Sequence, residues 1–152
     1  MPETADITKS IAYIEIRVFA HATEDPEKVQ TALRNLLPQE LAETIVFEKT
    51  IVTGHYGNPI TLFTATLTDK KLLPKALEKI GSGLGSLEKE EFCNQLRLHL
   101  EKSNLYLRFD KQSAYLGNVR FTQTDPIRIK VHFKNKTAAE IEDICKTAGL
   151  LP

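Results

Sequence analysis

Residues 126–134 read Pro-Ile-Arg-Ile-Lys-Val-His-Phe-Lys and alternate between apolar and basic side chains. Because successive side chains of a β-strand point to opposite faces, this alternation predicts a strand whose apolar face is turned to the core. The outward positions are Arg128, Lys130, His132 and Lys134. Consecutive outward positions lie about 6.6 Å apart, close to the spacing of phosphates along an extended nucleic-acid strand. The stretch therefore predicts a core strand with a cationic outer surface.

Two other segments show the same period of two. In residues 11–20 the apolar face holds Ala12, Ile14, Ile16 and Val18, and the outward face holds Tyr13, Glu15, Arg17 and Phe19. In the shorter segment 104–110 the outward residues include Tyr106 and Arg108. If the three strands are neighbours, cations and aromatic rings share one face. Cations neutralise phosphates and rings stack on bases, so such a face would suit RNA.

The basic residues are concentrated in one part of the chain. The 152 residues carry 20 Lys and Arg and 20 Asp and Glu, so the formal net charge is zero. Residues 103–136 nevertheless hold an excess of five positive charges, whereas residues 1–102 hold an excess of three negative charges. Lysine and arginine are also common on the solvent face of any half-exposed sheet, where they discourage aggregation. Charge alone leaves both interpretations open.

Helical stripes and turn residues separate the strands. Apolar residues recur at helical spacing after residue 25, over residues 72–80, after residue 86 and after residue 137. The predicted caps and breakers are Asp25, Pro26, Pro38, Ser86, Thr137, Glu140 and Gly149. Further strand-like runs occupy residues 44–53, 59–68 and 115–121.

This order of elements predicts an α+β fold. We expect an antiparallel or mixed β-sheet with helices packed on one face, forming a two-layer sandwich. The length fits one domain over residues 1–152, with residues 1–10 as a flexible N-terminus. No apolar run approaches the ~20 residues needed to cross a bilayer, and the N-terminus lacks a signal-peptide pattern. We therefore expect a cytoplasmic protein with no membrane contact.

Two loops mix glycine, amide, tyrosine and lysine side chains, which suits contacts to a nucleic-acid backbone. The first joins the strands 44–53 and 59–68 and presents His55, Tyr56 and Asn58, which we expect to be exposed. The second, residues 109–117, contains Lys111 and Gln112. We add these five residues to the candidate RNA-binding set and place Tyr115 in the core.

Three stretches resemble a family of archaeal RNA-binding proteins. They are His21-Ala-Thr-Glu-Asp25, Tyr56-Gly-Asn-Pro-Ile60, and Leu105-Tyr-Leu-Arg-Phe-Asp-Lys-Gln112 followed by Ala-Tyr-Leu-Gly117. The family's members are regarded as predicted exosome subunits, and its fold is likened to that of ribosomal protein L-five. The resemblance runs from about Ile11 to Phe133 and implies an α+β sandwich, RNA as the partner and no established catalysis. It assigns no chemical role to the matching residues.

Patterns typical of catalysis are incomplete. The His21-x-Thr23 form is used by a class of phosphoesterases that needs two such motifs, and the other histidines are not followed by a second one. The glycines from Gly81 to Gly85 follow a helix rather than a strand and lack the Lys-Ser/Thr of a phosphate-binding loop, so we interpret them as a flexible connector. Cys93 and Cys145 lie on apolar helical stripes, where we expect reduced, buried thiols.

We conclude that the sequence predicts a non-catalytic RNA-binding protein. Its expected partner is single-stranded RNA, together with RNA-processing proteins, in an accessory role associated with the exosome. We expect no cofactor, no metal and no catalytic residue. The alternative is a protein-interaction or assembly scaffold whose basic face meets an acidic partner, and neutral net charge fits both.

Overall fold

A computed structural model describes residues 9–54 and 56–152. The strands are β1 (Ile11–Ala20), β2 (Glu48–Thr53), β3 (Pro59–Leu67), β4 (Leu100–Glu101), β5 (Asn104–Phe109) and β6 (Ile127–Phe133). The helices are α1 (Pro26–Asn35), α2 (Gln39–Thr44), α3 (Leu73–Gly83), α4 (Ser86–Asn94), α5 (Lys111–Tyr115) and α6 (Ala138–Ala148), with a 3-10 turn at Leu96–His99. Among these described residues, no helix has the length and apolar character needed to span a membrane.

The six strands form one antiparallel sheet in the order β2-β3-β1-β6-β5-β4. The predicted α+β class is confirmed. β1 and β6 occupy the centre, and each pairs with a neighbour on both sides. The strand 126–134 is thus a central strand rather than an edge, so its lysines and arginines are not there to protect a free edge from aggregation.

One face of the sheet packs against the helices and forms the core. The inward side chains of β6 are fully or almost fully buried, as are those of β5. They join the apolar stripes of α1, α3 and α6 in one hydrophobic cluster. Burial of each branched aliphatic or aromatic side chain stabilises the fold by about 1.5–3 kcal/mol. This burial holds the sheet in place, and the described helices form no layer on its other face.

The predicted starts of α1 and α6 and the predicted end of α6 are confirmed. Asp25 caps α1 by accepting a hydrogen bond from the Glu27 N–H, and Pro26 is the first helical residue. Thr137 and Glu140 form a reciprocal capping box at α6, and these bonds lower the pKa of Glu140. Gly149 ends α6 in the left-handed conformation, with φ of 87°.

Several predicted boundaries are wrong. Residues 39–44 form α2, so β2 begins at Glu48 rather than at residue 44. Residues 115–121 are not a strand, because Lys111–Tyr115 is helical and only Phe121 makes a bridge, to Phe109. Ser86 is the first residue of α4 rather than its cap. These segments are short, and their apolar residues do not distinguish a strand from a single helical turn.

The prediction that the segment from Gly81 to Gly85 is a flexible connector is also partly wrong. Gly81 and Gly83 belong to the last turns of α3, where the helix meets other parts of the chain at close range. A Cβ atom at Gly81 would lie 2.6 Å from the Gly149 carbonyl oxygen and 3.1 Å from the Leu150 nitrogen. Gly81 is required because the backbone of the α6 terminus leaves no room for a side chain.

A β-bulge at the start of β1 corrects the predicted facing of one residue. Ile11 pairs with Phe133 and Tyr13 with His132, so Ala12 is an extra residue between these pairs. Ala12 is half-buried, whereas Ile11 is fully buried and takes the inward position. The other predicted facings of β1 are as expected.

Two further predictions are wrong in whole or in part, and a third falls mostly on residues outside the described part of the chain. Tyr115 is 39% exposed rather than in the core, and the Lys28 ammonium lies 5.9 Å from its ring centroid. Cys93 is only half-buried, although Cys145 is fully buried. Of the N-terminal segment predicted to be flexible, residues 1–8 lie outside the described residues. Its last residue, Ser10, is buried.

We expect Gly81→Ala to lower the free energy of unfolding by about 1–3 kcal/mol, because the new methyl group clashes with backbone atoms. Helix propensity alone predicts a gain of up to about 1 kcal/mol. Urea denaturation measures the difference. The control is Ser82→Ala in the same turn, where the side chain is exposed, with an expected change within about 0.5 kcal/mol. Equal or greater stability of Gly81→Ala would refute the close contact.

The two thiols should react at different rates. Burial raises the pKa of the Cys145 thiol to about 12, so little reactive thiolate is present and a reagent must wait for the fold to open. In Cys93→Ser, labelling of Cys145 should follow the unfolding rate. In Cys145→Ala, the half-buried Cys93 should label faster. Mass spectrometry over time distinguishes them, and rapid native labelling of Cys145 would contradict the packing of α6.

Candidate nucleic-acid interface

The outward residues of β5, β6 and β1 align in three rows across the sheet. The first row is Asn104, His132 and Tyr13; the second is Tyr106, Lys130 and Glu15; the third is Arg108, Arg128 and Arg17. We call these nine residues the open face. Its members alternate with buried residues along each strand, as the sequence predicts. The structure therefore confirms that the cations and the aromatic rings lie on the same face of the sheet.

The third row places three arginines directly opposite one another. Arg128 pairs with Arg17 on one side and with Arg108 on the other. All three are exposed, and no helix within residues 9–54 and 56–152 covers them. Arg108 donates a hydrogen bond to Gln123 Oε1 at 3.1 Å, and none of the three forms an ion pair with any carboxylate in the described part of the chain. We call Arg17, Arg128 and Arg108 the arginine row.

Lys130 occupies the centre of the open face. Its ammonium lies 5.7 Å from the Tyr13 ring centroid, and the interaction with the Tyr13 side chain raises the pKa of Lys130. Glu15 opposite it adds a weaker electrostatic contribution in the same direction. Glu15 is the one acidic residue among the nine members of the open face. Lys130 is therefore positively charged at neutral pH and has an aromatic ring beside it.

His132 and Tyr13 form a stacked pair in the first row. Their ring centroids are 5.0 Å apart at an interplanar angle of 27°. His132 Nδ1 lies 2.6 Å from the Asn104 side-chain oxygen, which orients the imidazole. With Nδ1 as the donor of this bond, the neutral ring presents Nε2 as an acceptor. Both rings are half-buried, so part of their surface is available to a flat ligand.

Phe19 and Leu62 form an apolar pair beside the arginine row, whose own continuation into β3 and β2 is Thr64 and then Glu48. Phe19 is half-buried and pairs with Leu62, which in turn pairs with Thr50 of β2. β2 is an edge strand whose residues are all exposed, including Ile51 at 73%. Phe19 thus lies at the border of the open face rather than among the cations of its three rows.

The remaining candidates on this side of the molecule lie farther from the rows. Lys134 follows the end of β6, and its proximity to the Lys70 amino group lowers the pKa of Lys134. The loop between β2 and β3 extends past the end of β1, because Pro59 and Ile60 have no β1 partner. Tyr56 is 87% exposed and Asn58 is exposed, as predicted. The predicted site residue His55 lies outside the described residues.

Lys111 is placed in an ion-pair cluster instead of on the open face. Its ammonium lies 2.6 Å from Asp125 and 2.9 Å from Glu24, and it donates to the Phe19 carbonyl at 3.0 Å. Its side chain is only 12% exposed. Gln112 is exposed and lines a separate cavity of about 560 Å³ between α1 and α5. The structure therefore does not bring these two predicted residues to the three rows.

The same cluster links two of the three sequence stretches that carry the family resemblance. Glu24 lies in the first stretch and Lys111 in the third, and their ion pair joins them. His21 adds a contact to Asp125 at 3.1 Å. Burial alone would raise the pKa of Asp125, but hydrogen bonds from Lys111 and His21 lower it below the usual range. The cluster fixes the turn after β1 to the loop before β6.

His21, Glu24 and Asp125 also have the geometry of a possible cation site. One ligand atom of each lies within 4.8 Å of the others. The Lys111 ammonium, however, already contacts both carboxylates and supplies their counter-charge. The residues present therefore do not favour a metal ion here.

Sequence reasoning missed two residues that support the open face. Asn104 alternates with Tyr106 and Arg108 in β5, so the period of two was a sufficient signal for it. Gln123 comes from a loop and reaches Arg108 only through the fold. No local pattern could have indicated Gln123.

Comparisons with known proteins give a consistent result. A family model described as RNA binding matches residues 13–133. RNA-binding protein PAB1135 of Pyrococcus abyssi is 37% identical over 123 residues, covering 78% of this chain and 80% of that protein.

Two solved structures share the fold. Protein AF2318 of Archaeoglobus fulgidus has a TM-score of 0.75 at 27% identity, covering 91% of this chain and 99% of that one. Mth689, a DUF54 protein of Methanothermobacter thermautotrophicus, has a TM-score of 0.73 at 27% identity, covering 94% and 99%. The family match includes all nine residues of the open face, and on that evidence the chain belongs to this RNA-binding family.

Proposed function

We propose that this protein binds single-stranded RNA through the open face and performs no catalysis itself. The observation that carries the proposal is the register of β5, β6 and β1. It brings three arginines and one lysine together with two tyrosines and a histidine, against a single carboxylate. An uncovered surface of this composition can neutralise phosphates and stack bases at the same time.

The rings favour a single strand over a duplex. Bases in a double helix are stacked on one another, and their faces are not accessible to a protein side chain. Tyr13, Tyr106 and His132 are half-buried, with part of each side chain open to solvent. Along β6 the positions of Arg128, Lys130 and His132 repeat at about 6.6 Å, which suits an extended backbone. The proposed RNA therefore follows β6, with its bases toward the rings.

We infer an accessory role in RNA processing or degradation in the cytoplasm, associated with the exosome. The support is the resemblance of the three sequence stretches, together with family membership. The nine residues of the open face include no serine, threonine or cysteine, and the ion-pair cluster of Lys111 engages the nearby acidic groups. Contact with RNA-processing proteins is part of the proposal, and the likeness to ribosomal protein L-five stays a prediction.

Removal of one cation from the open face should weaken binding similarly for all RNA sequences. In Arg128→Ala and Lys130→Ala we expect the salt dependence of binding to fall by roughly 0.7 per lost phosphate contact, because fewer counterions are released. Fluorescence anisotropy with single-stranded RNA, duplex RNA and single-stranded DNA, at several salt concentrations, measures this slope. Single-stranded RNA should bind most tightly.

The matched control is Lys79→Ala, which removes an exposed lysine from α3 in the helical layer. It should leave both affinity and slope unchanged. Failure of the native protein to bind any nucleic acid at low salt would refute the proposal. Retention of an acidic protein partner after nuclease treatment would then favour the scaffold alternative.

Removal of a ring should have a different signature. In Tyr106→Ala we expect a loss of about 1–3 kcal/mol in binding free energy, because a stacked base loses its platform. The salt slope should stay nearly fixed, since stacking releases few counterions. Tyr106→Phe, which keeps the ring, should retain most of the affinity in the same titration. An equal loss in both variants would point to the hydroxyl group and contradict stacking.

A further inference from the structure

The arginine row is an unusual arrangement for a sheet surface. Like charges directly opposite one another on neighbouring strands destabilise a sheet, and here three arginines occupy directly opposite positions. No carboxylate of the described chain pairs with any of them. Together with Glu15, Tyr106 and Lys130 they line a surface depression of about 210 Å³. The arrangement suits an anion that satisfies several guanidinium groups at once.

Spacing distinguishes this row from the rest of the proposed RNA path. Neighbouring strands lie about 4.8 Å apart, so the arginine row is denser than the repeat of about 6.6 Å along β6. Cations along β6 can each take one phosphate of an extended backbone. Across the row, three arginines span about 9.6 Å, less than the roughly 13 Å that three such phosphates need. An internal phosphodiester carries one negative charge, so it matches the row poorly.

A phosphomonoester matches the row better. It carries about −1.5 to −2 charges at neutral pH and offers three strongly accepting oxygens. Guanidinium groups bind such oxygens in pairs through their planar forks. In RNA a phosphomonoester occurs only at a strand end, so the chemistry of the row points to a terminus.

The surroundings of the row also indicate a terminus. β1 ends at Ala20, three residues beyond Arg17, and β6 begins at Ile127, one residue before Arg128. Beyond these ends lies the ion-pair cluster, where the carboxylates of Glu24 and Asp125 outnumber the ammonium of Lys111. A nucleic-acid backbone continuing in this direction would leave the cations and approach carboxylates. In the opposite direction, β6 leads past Lys130 and His132 toward Lys134.

We propose that the arginine row binds the terminal phosphomonoester of an RNA strand whose backbone continues along β6. This inference rests on the RNA binding proposed above and adds that the protein selects strands by their phosphorylated end. Either a 5′-phosphate or a 3′-phosphate supplies the required group. The protein thereby discriminates between RNA ends that differ by one phosphate.

The test compares three single-stranded RNAs of one sequence, labelled internally: one with a 5′-phosphate, one with a 3′-phosphate and one with hydroxyl groups at both ends. We expect one phosphorylated strand to bind about tenfold more tightly than the hydroxyl strand, as for one added charge-assisted contact. Which strand it is identifies the polarity. In Arg128→Gln all three strands should bind more weakly, and that strand should bind no more tightly than the hydroxyl strand binds to the same variant.

Lys134→Gln is the matched control, because it removes a cation at the far end of β6. It should weaken all three strands by the same factor and keep their ratio. The melting temperature of Arg128→Gln should not fall, since the change relieves like-charge repulsion; if this variant does not fold, Arg17→Gln takes its place. Equal affinity of the native protein for all three RNAs overturns this inference alone. Absence of binding to any of them overturns the proposed function as well.

Discussion

Antiparallel pairing of β6 with β1 on one side and with β5 on the other is the interaction on which the rest of the structure depends. Because the side-chain period of a strand is two, a slip of one residue in either pairing would turn Ile127, Ile129, Val131 and Phe133 toward solvent. All four are buried in the core beneath the helices. The register that satisfies the core therefore also determines which basic residues stand opposite one another.

That register buries apolar side chains in the core, which stabilises the fold, but it also places like charges next to one another on the surface, which destabilises it. Arg128 must face Arg17 and Arg108 once its inward neighbours are packed, and the repulsion among the three opposes the pairing. The buried apolar side chains contribute far more free energy than an exposed pair of like charges removes. The core can thus maintain a concentration of positive charge that the surface alone would not favour, and an anionic ligand relieves it.

The loops around the open face are held by a cluster whose role is structural. Lys111 connects the end of β1, the turn at Glu24 and the loop at Asp125. That loop also carries Gln123, which accepts a hydrogen bond from Arg108. Two stretches that resemble the RNA-binding family are therefore in contact, and their ion pairs hold the loops that border the open face. Family resemblance in such residues reports on the fold around a site as well as on the site.

Much of this protein was determined by local sequence. The alternation in β1, β5 and β6, the Asp25 and Thr137 caps and the Gly149 stop depend on residues only a few positions apart. The structure has them as predicted, except for Ala12 at the β1 bulge. Tertiary structure alone decided the alignment of Arg17, Arg128 and Arg108, the use of Lys111 in ion pairs, the exposure of Tyr115 and the need for Gly81. Each of these depends on a partner distant in the chain, and the strand order that supplies the partner is set by the packing of the whole core rather than by any local pattern.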